Sequence, residues 1–215
     1  MDKVIQAGAR VLGPVVIHFF AINIVQMMGL HADAAFRVTI TAVMVLPIYL
    51  WMMKTDGYEQ QKKSRFTFWN GIFVVLLALI VNVTLTGVMN AVFTLLELYD
   101  KEEIMVSSAQ DSLFQSSILM QIIGVGVIAP IMEEVLFRGL VYHRLKDYNK
   151  GWLSIILAAG MFAVYHGNLR QAVAAFPMAV IMILLYDRWD SILAPILFHI
   201  TVNLSSILAT AVLTV

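Results

Sequence analysis

The chain has 215 residues, 60% of them hydrophobic and 13% charged, with a mean hydropathy of +0.85 and a formal net charge of zero. A soluble domain averages roughly 45–50% apolar and about 25% charged residues, so most of this length belongs in lipid. The balanced charge offers no basic field for nucleic acid, and a sequence without cysteine has no disulfide, thiolate metal site or cysteine nucleophile.

A bilayer core about 30 Å thick takes about 20 apolar residues per helix. That ruler places seven spans, roughly at 11–30, 36–53, 69–96, 116–142, 152–166, 170–186 and 191–213. The expectation is an all-α, polytopic membrane helix bundle forming one integral-membrane domain over residues 1–215. Its first run follows Lys3 and Arg10, as a signal peptide would, but no small-residue cleavage site follows and further spans do; it reads as a retained helix. Residues 1–112 carry no chemical motif, whereas 113–215 carry all of the polar ones. Orientation follows from the basic residues. A cytoplasmic N-terminus puts Lys3, Arg10, Lys54, Lys62, Lys63, Arg65, Arg144, Lys146, Lys150 and Arg188 inside, against Arg37, Lys101 and Arg170 outside. This predicts N-terminus in, C-terminus out, Tyr99–Asp111 outward, and Trp51, Trp69, Trp152 and Trp189 near the inner interface. A cell-membrane location follows.

The fourth span contains Glu133-Glu134-Val135-Leu136-Phe137-Arg138-Gly139, three ionisable groups in an otherwise apolar run. Charges at such depth cost several kcal/mol and mark a functional site by default. Adjacent helical residues point about 100° apart, so Glu133 and Glu134 are expected to do different work. Glu134 and Arg138 are spaced i, i+4 with the acid first, the favourable order for a pair, and this leaves Glu133 without a local partner. Pro130 withholds a backbone hydrogen bond and frees a carbonyl that needs another partner. Gly124, Gly126 and Ala129 form a small face for close helix approach. Later spans hold His166, closing Phe162-Ala163-Val164-Tyr165-His166, and His199 with Asn203 one turn on. At 1.5 Å per residue Glu133 lies about 14 Å from Tyr142 and His199 about 12 Å from Ser191, but His166 about 21 Å from Trp152. Convergence therefore requires a tilted fifth helix or a Trp152 at the interface. His18 reads as a helix–helix hydrogen-bonding residue, and His143 and Asp187 as solvated edge residues.

These stretches resemble the CAAX protease and bacteriocin-processing family of membrane proteases, also called CPBP or Abi. That family carries Glu-Glu-x-x-x-Arg, Phe-x-x-x-His and His-x-x-x-Asn/Asp on successive helices, and here they read Glu133 to Arg138, Phe162 to His166 and His199 to Asn203. The resemblance covers about the last half of the chain and implies peptide-bond hydrolysis within the membrane. Glu133, poorly solvated and unpaired, then suits a general base for water, with His166 orienting that water and His199 and Asn203 donating to an oxyanion. Glu134 and Arg138 would fix the helix or dock the peptide backbone, and Phe162 would line the wall. The implied substrate is a prenylated or membrane-associated protein or peptide, matured or neutralised in a prokaryotic membrane, with no cofactor required.

Other readings of the same residues stay open. Glu133, His166 and His199 make a two-His-one-carboxylate set that could hold zinc with an open water position. A non-enzymatic immunity or scaffold protein would tolerate Glu133→Gln. A proton-coupled transporter would use the same buried groups, although no repeated halves are evident.

Overall fold

The computed structural model describes residues 2–29, 33–58, 65–96, 112–113, 115–149 and 151–213. The predicted outward segment Tyr99–Asp111 and the basic pair Lys62-Lys63 lie outside the described residues. Seven helices order the rest: α1 Asp2–Met27, α2 Ala34–Thr55, α3 Phe68–Leu95, α4 Ile118–Tyr148, α5 Trp152–Tyr165, α6 Leu169–Trp189 and α7 Leu193–Leu213. Six are long and apolar enough to cross a bilayer, and α5 is a shorter apolar helix of 14 residues. The protein is a multi-pass integral membrane protein.

The ends are set by local chemistry. Asp33 caps α2 by accepting from the Phe36 amide at 2.7 Å, Thr67 and Asn70 form a reciprocal capping box on α3, and Asn168 caps α6 through the Gln171 amide. Gly167, at φ +73°, makes the reversal between α5 and α6. Helix α1 starts well before the expected residue 11, because its polar first turns are held by protein groups instead of by lipid. Arg10 bonds Asp147 at 2.7 Å and Tyr58 at 3.2 Å, and Arg144 donates to the Arg10 carbonyl and to Asp56. This basic end also holds the exposed Trp51, Trp69 and Trp152, and Trp189, whose carbonyl accepts from the Arg65 amide.

One edge residue expected in solvent is instead partly enclosed: His143 Nδ1 donates to the Arg138 carbonyl, its Nε2 meets the Tyr186 hydroxyl, and the ring stacks on Tyr58 at 4.4 Å. Asp187 is exposed as expected, and there it binds the Tyr142 hydroxyl and pairs with Lys146.

Helix α4 is the axis of the bundle and packs against α1, α2, α5 and α7. It is not uniform. Segments Gln121–Ile128 and Val135–Tyr142 are π-helical, separated by an α-helical Ala129–Glu134. Every residue from Val135 to Tyr142 is buried, as a helix enclosed on all sides requires. The small face works as expected. A Cβ at Gly124 would collide with Thr39 and the Ala35 carbonyl of α2, and one at Gly126 with Leu204 of α7. Across the bundle, Asn82 of α3 donates to Ser205 and Ser206 of α7, which accounts for a polar residue inside that span.

Candidate active site

The site is built from the change of register in α4. In the first π-helical segment the Ala129 amide bonds the Gly124 carbonyl, five residues back. The next donor in that register would be residue 130 for the Val125 carbonyl, but Pro130 has no N–H. Asn203 of α7 supplies the missing donor, its side-chain amide reaching the Val125 carbonyl at 2.9 Å. The partner that Pro130 demands is thus a motif residue, and α7 is locked to α4 at this level. One Asn203 N–H remains for the cavity it lines.

Below that tie, Glu134 and Arg138 are fully enclosed, at 0% and 1% exposure. Arg138 donates to Glu134 at 2.9 Å and to the Ala179 carbonyl of α6 at 3.3 Å, and its guanidinium lies 4.5 Å from the centre of the Phe162 ring. Both are enclosed, and through these contacts they tie α4 to α5 and α6. The same Glu134 oxygen accepts from His199 Nδ1 at 2.8 Å. A carboxylate accepts only, so Nδ1 carries the proton and Nε2 faces away from Glu134. Glu133 Oε2 approaches that Nε2 at 3.7 Å. The two neighbouring glutamates therefore meet one imidazole at its two nitrogens: Glu134 fixes the ring, and Glu133 addresses the nitrogen left over. Two carboxylates and one guanidinium thus lie around one imidazole.

His166 caps the end of α5, where Nδ1 donates to the Phe162 carbonyl at 2.8 Å and leaves Nε2 as its remaining nitrogen. The Phe162 ring touches both histidines edge-on, at 4.7 Å from His166 and 5.7 Å from His199. Trp152 is exposed at the start of α5, and His166 closes this helix 14 residues later. Phe162, His166, His199 and Asn203 all line one cavity of about 670 Å³ between α3, α4, α6 and α7. Glu133 is not in its wall; it reaches the site from behind His199. No hydrogen bond joins Glu133 to His166.

The zinc set is not assembled. Among the described residues no three His, Asp or Glu side chains come together as metal ligands. Both Nδ1 atoms are engaged, which leaves His166 Nε2 and His199 Nε2 as the nitrogens an ion would take. The three side chains are not gathered around one point in this arrangement, and no chemical step is routed through a metal.

Sequence reasoning missed Tyr165, while His18 makes the helix–helix hydrogen bond expected of it. The Tyr165 hydroxyl and His18 Nε2 are 2.7 Å apart, and the Tyr165 ring packs on Phe137 and His166. His18 is enclosed, and its Nδ1 has no partner. This pair is the direct polar link from α1 to the site-bearing α5. The signal available beforehand was an aromatic hydroxyl beside a motif histidine, which spacing alone does not distinguish from wall packing.

Residues 115–205, which contain every group of the constellation, match the family described as type II CAAX prenyl endopeptidase Rce1-like. Over 84 residues the chain is 25% identical to the candidate membrane peptidase YdiL of Bacillus subtilis (strain 168), covering 39% of this chain and 34% of that protein. The chain thus aligns with about a third of the length of this curated relative. No solved structure matches it.

Proposed function

We propose that this chain, which carries the Rce1-like family pattern over residues 115–205, is an intramembrane endopeptidase in which Glu133 and His199 act together on a water molecule. The observation that carries the proposal is the 3.7 Å approach of Glu133 to His199 Nε2, with the ring fixed from its other side by Glu134. With His199 Nε2 protonated in this reading, Glu133 is a carboxylate and can take a proton from water as the water oxygen bonds to the substrate carbonyl carbon. Negative charge then moves to the carbonyl oxygen. The donors near it are His199 Nε2–H and the uncommitted Asn203 N–H, each worth about 2.7–4 kcal/mol where such donors have been removed in other enzymes; His166, whose Nδ1 proton goes to the Phe162 carbonyl, offers Nε2 as an acceptor that orients the water. Glu133 returns its proton to the amide nitrogen as the C–N bond breaks, giving one amine and one carboxylic acid, whose proton passes to the amine or to solvent. Glu134, Arg138 and Phe162 hold the imidazole and need not touch substrate.

The substrate class within reach is a prenylated protein tail, as the family description names, or another membrane-associated peptide such as a bacteriocin or signal-peptide precursor. Reconstituted protein is assayed on such peptides. Glu133→Gln, nearly isosteric, is expected to lower turnover by about 10²–10⁴-fold at normal expression, and His199→Ala and His166→Ala to lower it as well. Wild-type cleavage by all three variants refutes the site. A second assignment of the base rests on the cavity wall, which contains His199 but not Glu133. There His199, oriented by Glu134, takes the water proton, and Glu133→Gln would retain most of the activity.

A further inference from the structure

Among the described residues no hydrogen bond reaches the Glu133 carboxylate, and His199 Nε2 stands 3.7 Å from it. The side chain is not sealed, since 14% of it stays accessible. A carboxylate only accepts, so its oxygens are served only where donors are brought to them. One donor outside the motifs stands in the His18–Tyr165 pair. The Tyr165 ring is fixed edge-on against Phe137 at 5.2 Å and against His166 at 5.7 Å, so α4 and α5 set its place beside the site. The charge of Glu133 acts on the Tyr165 hydroxyl. Neither residue lines the cavity that holds His166 and His199.

The Tyr165 oxygen and His18 Nε2 are 2.7 Å apart, and either could donate to the other. The rest of the imidazole selects the direction. His18 is enclosed and its Nδ1 has no partner. Were Tyr165 the donor, the imidazole proton would sit on Nδ1 as a buried N–H without an acceptor, and orphaned N–H groups are rarer than under-satisfied acceptors. Nε2 therefore carries the proton and gives it to the Tyr165 oxygen. The phenolic proton of Tyr165 is then left without an acceptor in the pair. Tyr49, the other hydroxyl that acts on Tyr165, gives its own proton to the Pro14 carbonyl at 3.0 Å and has none for Glu133. A free donor and an unserved acceptor thus stand close together without a direct bond.

We infer that Tyr165 is a positioning residue for Glu133: its hydroxyl, oriented by His18, donates toward the carboxylate through a bridging water. Such a bridge is nearly as favourable as a direct hydrogen bond. Its catalytic consequence rests on the endopeptidase reading above. Anchoring one oxygen of a side chain that has no other hydrogen bond holds the second toward His199 and the attacking water. Helix α1, which carries no motif, is thereby tied to the base on α4.

Turnover of candidate peptides by reconstituted protein, taken per folded molecule, tests the consequence. Tyr165→Phe is expected to lower kcat about tenfold and to leave KM within about twofold. His18→Leu should lose a comparable part, and His18→Gln, whose amide can still donate to the Tyr165 oxygen, should recover most of it. In a Glu133→Gln background Tyr165→Phe should change the residual turnover by less than about twofold, because the base it serves is gone. Unchanged kcat in Tyr165→Phe, equal loss in both backgrounds, or a His18→Gln as slow as His18→Leu overturns the inference. The contact is also measured without turnover. The Glu133 carboxyl band, isolated as the infrared difference between wild type and Glu133→Gln, is expected to shift in Tyr165→Phe and in His18→Leu. An unmoved band refutes the contact whatever the protein cleaves. If no Glu133→Gln-sensitive cleavage occurs, the peptidase reading fails, and the band alone decides whether Tyr165 serves Glu133.

Discussion

Asn203 has two separable jobs, and a double-mutant cycle with Pro130 pulls them apart. Asn203→Leu keeps the side-chain size but strands the Val125 carbonyl, which Pro130 cannot serve and which the amide now holds at 2.9 Å. An unsatisfied buried acceptor costs about 1–3 kcal/mol, although hydrogen bonds between membrane helices average nearer 0.6 kcal/mol with a maximum of about 1.7. The expected loss in unfolding free energy is therefore about 1–2 kcal/mol. Pro130→Ala restores an N–H at the position that the π-helical register assigns to Val125. In that background Asn203→Leu should cost less than about 0.5 kcal/mol, because the carbonyl already has a donor. Unfolding in mixed detergent micelles measures the stability half of the cycle. Cleavage measures the other half: if the remaining Asn203 N–H serves an oxyanion, turnover stays depressed in the stabilised double variant. Equal destabilisation by Asn203→Leu with and without Pro130 would show that the freed carbonyl is not what Asn203 is there to satisfy. Recovery of turnover along with stability would reduce Asn203 to a brace.

Four further outcomes follow from the same contacts. Glu134→Gln leaves the enclosed Arg138 charge without its partner and is expected to cost about 3–5 kcal/mol, seen as lost folded yield, whereas pairing it with Arg138→Met recovers most of that yield. Gly124→Ala drives a methyl group against the Ala35 carbonyl of α2 and should destabilise by about 1–3 kcal/mol; Gly139→Ala meets only the flexible Met53 side chain and should cost less, a ranking that thermal unfolding checks. Tyr165→Phe keeps the ring on Phe137 and His166 but loses the bond to His18, so it should lower stability by about 0.6–1.7 kcal/mol, and His18→Leu should add little to it. Dialysis against a strong chelator is expected to leave cleavage by purified enzyme unchanged; loss with recovery on adding zinc would require Glu133, His166 and His199 to rearrange into a ligand set.

The bundle was legible because hydropathy depends on composition over windows of about 20 residues, and a bilayer leaves few alternatives to a helix there. Helix α1 shows the limit of that ruler. Its first turns are too polar to register as a span, yet Arg10, Asp147 and Tyr58 hold them to the protein. The Glu134–Arg138 pair was legible from local spacing, and so was the orphaned carbonyl that Pro130 creates. Its partner was not, since Asn203 lies 78 positions from Val125 and only the packing of α7 on α4 selects it. The π-helical segments were invisible for a related reason. Choosing a carbonyl five residues back over one four back is a small backbone preference, tipped by the neighbours that receive Gly124 and Gly126.

Two consecutive glutamates serve one histidine although both lie in the α-helical segment Ala129–Glu134, where adjacent side chains point about 100° apart. His199 is inserted deeply enough that its ring spans the gap, one nitrogen 2.8 Å from Glu134 and the other 3.7 Å from Glu133. The arrangement makes a strong demand on α7, because a shift of about one helical turn, 5.4 Å, would lose both contacts. Asn203, one turn beyond His199 and bonded to α4, prevents that shift. The histidine and the asparagine are thus coupled through the position of their helix, so weakening the Asn203 tie should loosen the His199 geometry even where no chemistry is asked of Asn203 itself.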